Sequence, residues 1–337
     1  MLPHPAPPAA PAPVGWFFLP GDTAHLATLD PERDWRELLV GERAWVLQSY
    51  LRLARSGLPV ALTSRPTEGL VVFHAKHWRA LQRQRADGGT AILVSVRADL
   101  RPAPNADFEI VQNRGSADGR RRFYVPHWPQ PSLLGRDPGR GDLLRRAGYR
   151  GLAGHLHPAL RDRGWVTLLD AAGFEWDVDA PIDLENEAAR ATSRWSDYRE
   201  LDALVALRPP DRRLYPAKPP TKLFNAWCAG VPAILGPERA YREERRDPLD
   251  YLEVDGPLGA VAALRGLARE PRRYRAMVEH GLRRAAEHGA GAVASWRELL
   301  CQVLPERARE APSRRRRRWP AAARLALGYL RRRLSVR

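Results

Sequence analysis

Lys218-Pro-Pro-Thr-Lys-Leu-Phe-Asn-Ala-Trp-Cys-Ala-Gly-Val-Pro-Ala-Ile-Leu-Gly-Pro-Glu238 is the stretch on which the reading of this chain turns. Pro219, Pro220 and Thr221 set up a helix start, with Thr221 in the N-cap position. Lys222 and Asn225 are three apart and share a helical face near that end. A helix N-terminus that carries a lysine suits a phosphate group. Asn225, one turn further in, is placed for a ribose or sugar hydroxyl. Gly230 ends the helix, and Val231 to Leu235 reads as a buried strand. Gly236-Pro237-Glu238 then leaves the strand's carboxyl end, where open α/β sheets place their ligands. Glu238 either meets that ligand or opens the next helix favourably.

Upstream, short apolar runs alternate with helical patterns. Trp16 to Leu19, Pro59 to Thr63, Leu70 to Phe73, Ala91 to Val96 and Phe108 to Gln112 read as strands. Helices are expected over Glu42 to Ser56 and through Trp78 and Leu81. Apolar runs without alternation suit a parallel sheet covered on both faces, hence a doubly wound α/β domain. The Pro-rich run Pro126 to Pro131 and the Gly- and charge-rich stretch to Gly148 read as an interdomain linker. A second series follows, with strands expected at Val166 to Leu169, Ala203 to Leu207 and Val231 to Leu235. Leu258 to Glu287 reads as two surface helices broken near Glu270-Pro271. Arg208, at the carboxyl end of its strand, is either an anion contact or a solvated arginine.

The segment from 218 to 238 resembles the donor-binding segment of GT-B glycosyltransferases, roughly Pro-Ser/Thr-Lys-x-x-Glu, small apolar residues, then Ala-x-Gly-x-Pro. Lys222, Gly230 and Pro232 match that pattern, while Asn225 stands where an acidic residue is usual. Tyr149-Arg150-Gly151 resembles the strand and glycine that open the donor domain, and Asp255 to Arg284 its closing helices. The resemblance is specific from about 200 to 288 and loose elsewhere. It implies two Rossmann-like domains facing a cleft: 15–146 for the acceptor and 147–290 for a nucleotide-sugar. A crossover helix at 291–311 and a basic tail at 312–337 would follow. It implies donor contacts from Gly151, Lys222 and Asn225, to which Arg208 and Glu238 are added as candidates by their places at strand carboxyl ends. It also implies glycosyl transfer to an acceptor hydroxyl without a cofactor or metal. A cell-envelope glycan or lipid-linked sugar is the expected acceptor. His127, after the strand-like Phe123 to Val125, is the candidate general base. The weaker histidine candidates are His74, His77, His155 and His157.

The 337 residues allow two α/β cores, and the net charge of +16 leaves three classes of anionic partner open. No apolar run reaches membrane-spanning length, which leads us to expect a cytoplasmic protein. Residues 1–14 are Pro- and Ala-rich, without the basic start and apolar stretch of a signal peptide, and read as a disordered lead-in. Cys228 and Cys301 are far apart and are expected to be reduced thiols. Arg314 to Arg318 precede Ala323, Leu327, Leu330 and Leu334 at helical spacing. Such a basic amphipathic tail suits an anionic membrane surface, which would place the protein peripherally on the inner face. Two other readings stay open. One is a GT-B-like shell that binds without turnover. The other is a charge-driven polyanion binder, although the basic residues show no nucleic-acid motif.

Overall fold

The computed structural model describes residues 12–310, apart from 40, 67, 87–89, 185, 211–214 and 216. The greater part of the N-terminal lead-in and the basic tail from 311 therefore lie outside the described residues. The first domain runs β1 (Gly15–Phe18), α1 (Thr23–Thr28), α2 (Gln48–Arg55), β2 (Val60–Thr63), β3 (Leu70–His74), α3 (Trp78–Ala86), β4 (Ile92–Val96), β5 (Phe108–Val111) and β6 (Arg122–Tyr124). Its six-stranded sheet has the order β2-β1-β3-β4-β5-β6, and every pair is parallel. A π-helical turn at Arg43–Leu47 leads into α2. All five residues of β3 are buried, as a strand covered by helices on both faces must be.

The second domain opens with β7 (Arg146–Arg150) and continues with α4 (Arg163–Asp170), β8 (Glu175–Asp179), α5 (Glu187–Thr192), β9 (Ala203–Ala206) and α6 (Thr221–Ala229). β10 (Ala233–Leu235), α7 (Arg239–Glu244), β11 (Leu252–Glu253), α8 (Pro257–Arg269) and α9 (Pro271–Glu298) complete it, and α10 (Leu304–Glu310) follows, packed on the first domain. The sheet order is β11-β10-β9-β7-β8, again wholly parallel. Two doubly wound domains are thus present, as the apolar patterning predicts.

Three local expectations need correction. Val166 to Leu169 is not a strand but part of α4. Asp162 caps that helix by accepting from Gly164 N at 2.7 Å, and Trp165 and Leu169, four apart, are its buried stripe. Thr221 is not the N-cap of α6. Pro220 takes that place and offers no side-chain acceptor, so the first turn of α6 has no side-chain cap. The helix broken at Glu270-Pro271 runs well past Glu287, to Glu298, and on through a π-helical turn into α10.

That extension carries α9 from one core to the other. Tyr274 and Met277 belong to the second domain's core with Leu204, Phe224 and Trp227. Ala292, Trp296, Leu299, Leu300 and Leu304 belong to the first domain's core with Phe17, Leu47 and Val72. The Pro-rich stretch before β7 is also anchored: Leu134 N donates to Ser196 O at 2.8 Å and Arg136 N to Ala229 O at 2.8 Å. Arg136 and Arg140 both pair with the fully buried Asp202, which also accepts from the amides of Arg145 and Arg146. The chain therefore crosses between domains twice, on well-fixed paths.

Candidate functional site

The carboxyl ends of β7, β9 and β10 and the N-terminus of α6 converge on one spot. Lys222, the second residue of α6, lies over the rings of Tyr149 at 4.7 Å and Trp195 at 5.1 Å, and its ammonium donates to the carbonyl of Arg150. Burial, reinforced by the nearby Arg208 guanidinium, pushes the Lys222 ammonium down to about 7. Arg150 itself is buried, with its guanidinium on Asp177 Oδ2 at 2.8 Å and Asp197 O at 2.8 Å. The strand end that receives Lys222 is thereby held in place.

Gly151 follows Arg150 with φ +156. A Cβ there would stand 2.7 Å from Tyr149 Oη and on top of the Lys222 ammonium, so only glycine leaves the lysine its berth. Arg208, just beyond β9, pairs through Nε with Glu238 Oε2 at 2.8 Å and lies 5.2 Å from the Tyr215 ring. Glu238 Oε1 has no hydrogen-bond partner, and burial raises the carboxyl's pKa against the pull of Arg208. Lys218 stands just before α6 and forms an ion pair with Asp99 of the first domain. His155 reports the same convergence. Burial, and then the charges of Lys218, Arg208 and Lys222, hold its imidazole down at about 4.

The structure therefore brings Gly151, Arg208, Lys222 and Glu238 together. It does not bring in Asn225, which is 1% exposed and accepts from Gln130 N at 2.9 Å, holding the linker to α6. His127 also lies apart. Its ring stacks on Trp45 at 3.6 Å, and its carbonyl accepts from His288 Nε2 at 2.7 Å. Burial lowers its pKa to about 3, so it is neutral at physiological pH and a weak proton acceptor. His74 is buried at the end of β3, His77 packs edge-on against Phe18, and His157 Nδ1 accepts from Ala159 N at 3.1 Å. Trp195 and Asp99 were not singled out from the sequence. Both lie outside the regular strands and helices, where no periodicity marks them. Among the described residues no group of His, Cys, Asp and Glu is arranged to hold a metal, and no helix is long and apolar enough to cross a membrane.

Three cations and an uncapped helix start, with the two carboxylates of Glu238 and Asp99 among them, make a cradle for an anion. No protein-family model and no curated protein sequence matches the chain. Solved structures do. Sucrose-phosphate synthase from Thermosynechococcus elongatus superposes with a TM-score of 0.54 at 11% identity, covering 88% of this chain and 100% of that one. Anabaena HepE in complex with UDP-glucose superposes at 0.51 with 10% identity, covering 87% and 99%. The fold is that of the GT-B glycosyltransferases.

Proposed function

We propose that the chain transfers a glycosyl group from a nucleoside diphosphate sugar to an acceptor hydroxyl. The observation that carries this reading is the cradle of Lys222, Arg208 and Lys218 at the strand ends of the second domain, opposite the strand ends of the first. A leaving diphosphate gathers negative charge as the glycosidic bond breaks. Preorganised cations and helix amides aimed at that charge lower the barrier without a proton donor of their own. Lys222 meets the diphosphate, and Gly151 leaves room for it beside the strand end. Glu238, tied to Arg208 through one oxygen, keeps the other for a hydroxyl of the sugar or ribose. HepE binds UDP-glucose in a superposable fold, which supports a nucleotide-sugar as donor. The acceptor attaches on the first domain's side of the cleft, and Asn225 and His127 fix the linker between the two.

Titration of the full chain with a panel of nucleoside diphosphates and their sugars tests this. One nucleotide should raise the unfolding midpoint selectively, with a stabilisation of about 2.7 kcal/mol at a hundredfold excess over Kd. Lys222→Ala should abolish the rise. A response to polyanions but to no nucleotide would overturn the proposal.

A further inference from the structure

A second basic recess lies in the first domain, past the carboxyl ends of β3 and β4. It is an open pocket of about 400 Å³ lined by Ala75, Lys76, Trp78, Arg79, Leu100 and Arg101. Three of the six lining residues are cations and none is acidic. Their local balance differs. Lys76 is paired with Glu42, and Arg79 lies 5.3 Å from the Trp78 ring. Among the described residues neither Arg79 nor Arg101 has a carboxylate partner. Exposed arginines near a pocket floor of aromatic and aliphatic surface present planar, forked donors to a ligand.

The pocket also has a fixed relation to the cradle. Asp99, the neighbour of Leu100, is the residue that pairs with Lys218 at the start of the donor segment. The two recesses thus flank one ion pair, one on each side of the cleft.

We infer that this pocket binds a phosphoryl group carried by the acceptor, so that the acceptor is a phosphorylated sugar or a lipid-linked one. Two arginine forks match phosphate oxygens in a way that a neutral glycan would leave unused. Trp78 and Leu100 supply apolar contact to whatever carries the phosphate. The assignment of the ligand as acceptor rests on the glycosyl-transfer reading, whereas the anion site itself does not.

Isothermal titration with inorganic pyrophosphate separates the two. In a Lys222→Ala background the cradle is disabled and the pocket is read alone. Adding Arg79→Gln and Arg101→Gln, both exposed positions, should weaken pyrophosphate binding by about tenfold or more. Pyrophosphate affinity that stays within about twofold, or no binding in the Lys222→Ala parent, overturns the inference. Nucleoside diphosphate binding to the wild-type chain is a separate arm. Its failure sinks the donor reading but leaves the pocket result legible. Glucose 6-phosphate in solution and phosphatidylcholine vesicles with and without phosphatidic acid then identify the carrier. Arginine-dependent binding to the sugar phosphate supports a soluble acceptor, and arginine-dependent cosedimentation with the phosphatidic acid vesicles supports a lipid-borne one. Dependence on the arginines with neither probe overturns the acceptor assignment.

Discussion

Lys222 stands among Arg208, Arg150, Glu238 and Asp179, and its ammonium is held near neutrality by burial. The pH dependence of ligand binding follows from this. A bound diphosphate favours the charged ammonium and raises its pKa above that of the free site, so binding takes up a proton whenever the free lysine is neutral. Affinity for a nucleoside diphosphate should therefore fall as pH rises above about 7, by up to about tenfold per pH unit for a single proton. The ligand's own last ionisation, near pH 6, is complete by then and does not reverse the sign. Lys222→Arg, permanently charged, should flatten the profile. Calorimetric titration from neutral to mildly alkaline pH reads this directly, and a flat wild-type profile would refute it. Gly151 has a steric version of the same test. A methyl there meets Tyr149 Oη and the lysine's berth, so Gly151→Ala should weaken the nucleotide by about tenfold or more. The unfolding midpoint measured without nucleotide shows whether the loss is local.

At the scale of elements, α9 has the most to do with both domains. Trp296 is 3% exposed and packs 5.7 Å from the Phe17 ring, so its terminal turns are part of the first core although its first turns belong to the second. Trp296→Ala should cost about 3–5 kcal/mol in urea unfolding, as large-to-small changes in cores do. A cost under about 1 kcal/mol would mean that the crossover merely rests on the first domain. Elements with unbroken apolar runs were readable in the sequence because parallel strands covered on both faces need them: β3, β4 and β9 fall where the pattern puts them. β8 was not, since Glu175-Trp-Asp-Val-Asp179 lies at the sheet edge with Val178 exposed and Asp177 turned in to pair with the buried Arg150, so no apolar run marks it. The run Val166 to Leu169 misled because four apolar residues fit either a strand or one helix stripe, and the deciding cap is four residues upstream. The site was legible to the same extent. Lys222, Arg208, Glu238 and Gly151 sit on strand ends and a helix start, which topology gathers at one edge. Asn225 and His127 have the right chemistry, but residue type does not fix side-chain direction: Asn225 holds the linker, and His127, within it, stacks on Trp45.

The whole molecule is two domains, the first with a core cluster on each face of its sheet, and how firmly the domains are joined can be tested. One joint is α9. A second is the linker, where Asn225 accepts from Gln130 N and Trp195 Nε1 donates to Gln130 Oε1 at 2.6 Å. A third is the buried Glu244 of α7, which accepts from Tyr124 Oη at 2.7 Å and from Arg114 Nε at 3.2 Å, both from the first domain. Next to it Glu243 accepts from Gly115 N at 3.0 Å. Glu244→Ala strands a half-buried phenol and a half-exposed guanidinium, a loss of about 1–3 kcal/mol. By itself that leaves α9 to couple the cores, so the single variant should still unfold in one transition. Combined with Trp296→Ala, two of the three joints are weakened, and the linker contacts, the Glu243–Gly115 hydrogen bond and the Asp99–Lys218 ion pair carry more of the coupling. Hydrogen exchange then distinguishes the cases, because β3 reports the first core and β9 the second. In the wild-type chain both strands should exchange through the same highest-energy opening. In the double variant β3 should exchange through a smaller opening that leaves β9 protected, since α9's tryptophan was taken from the first core and not the second. If β3 and β9 still exchange together, the remaining contacts, the linker and the ion pair between Asp99 and Lys218 among them, suffice to couple the domains.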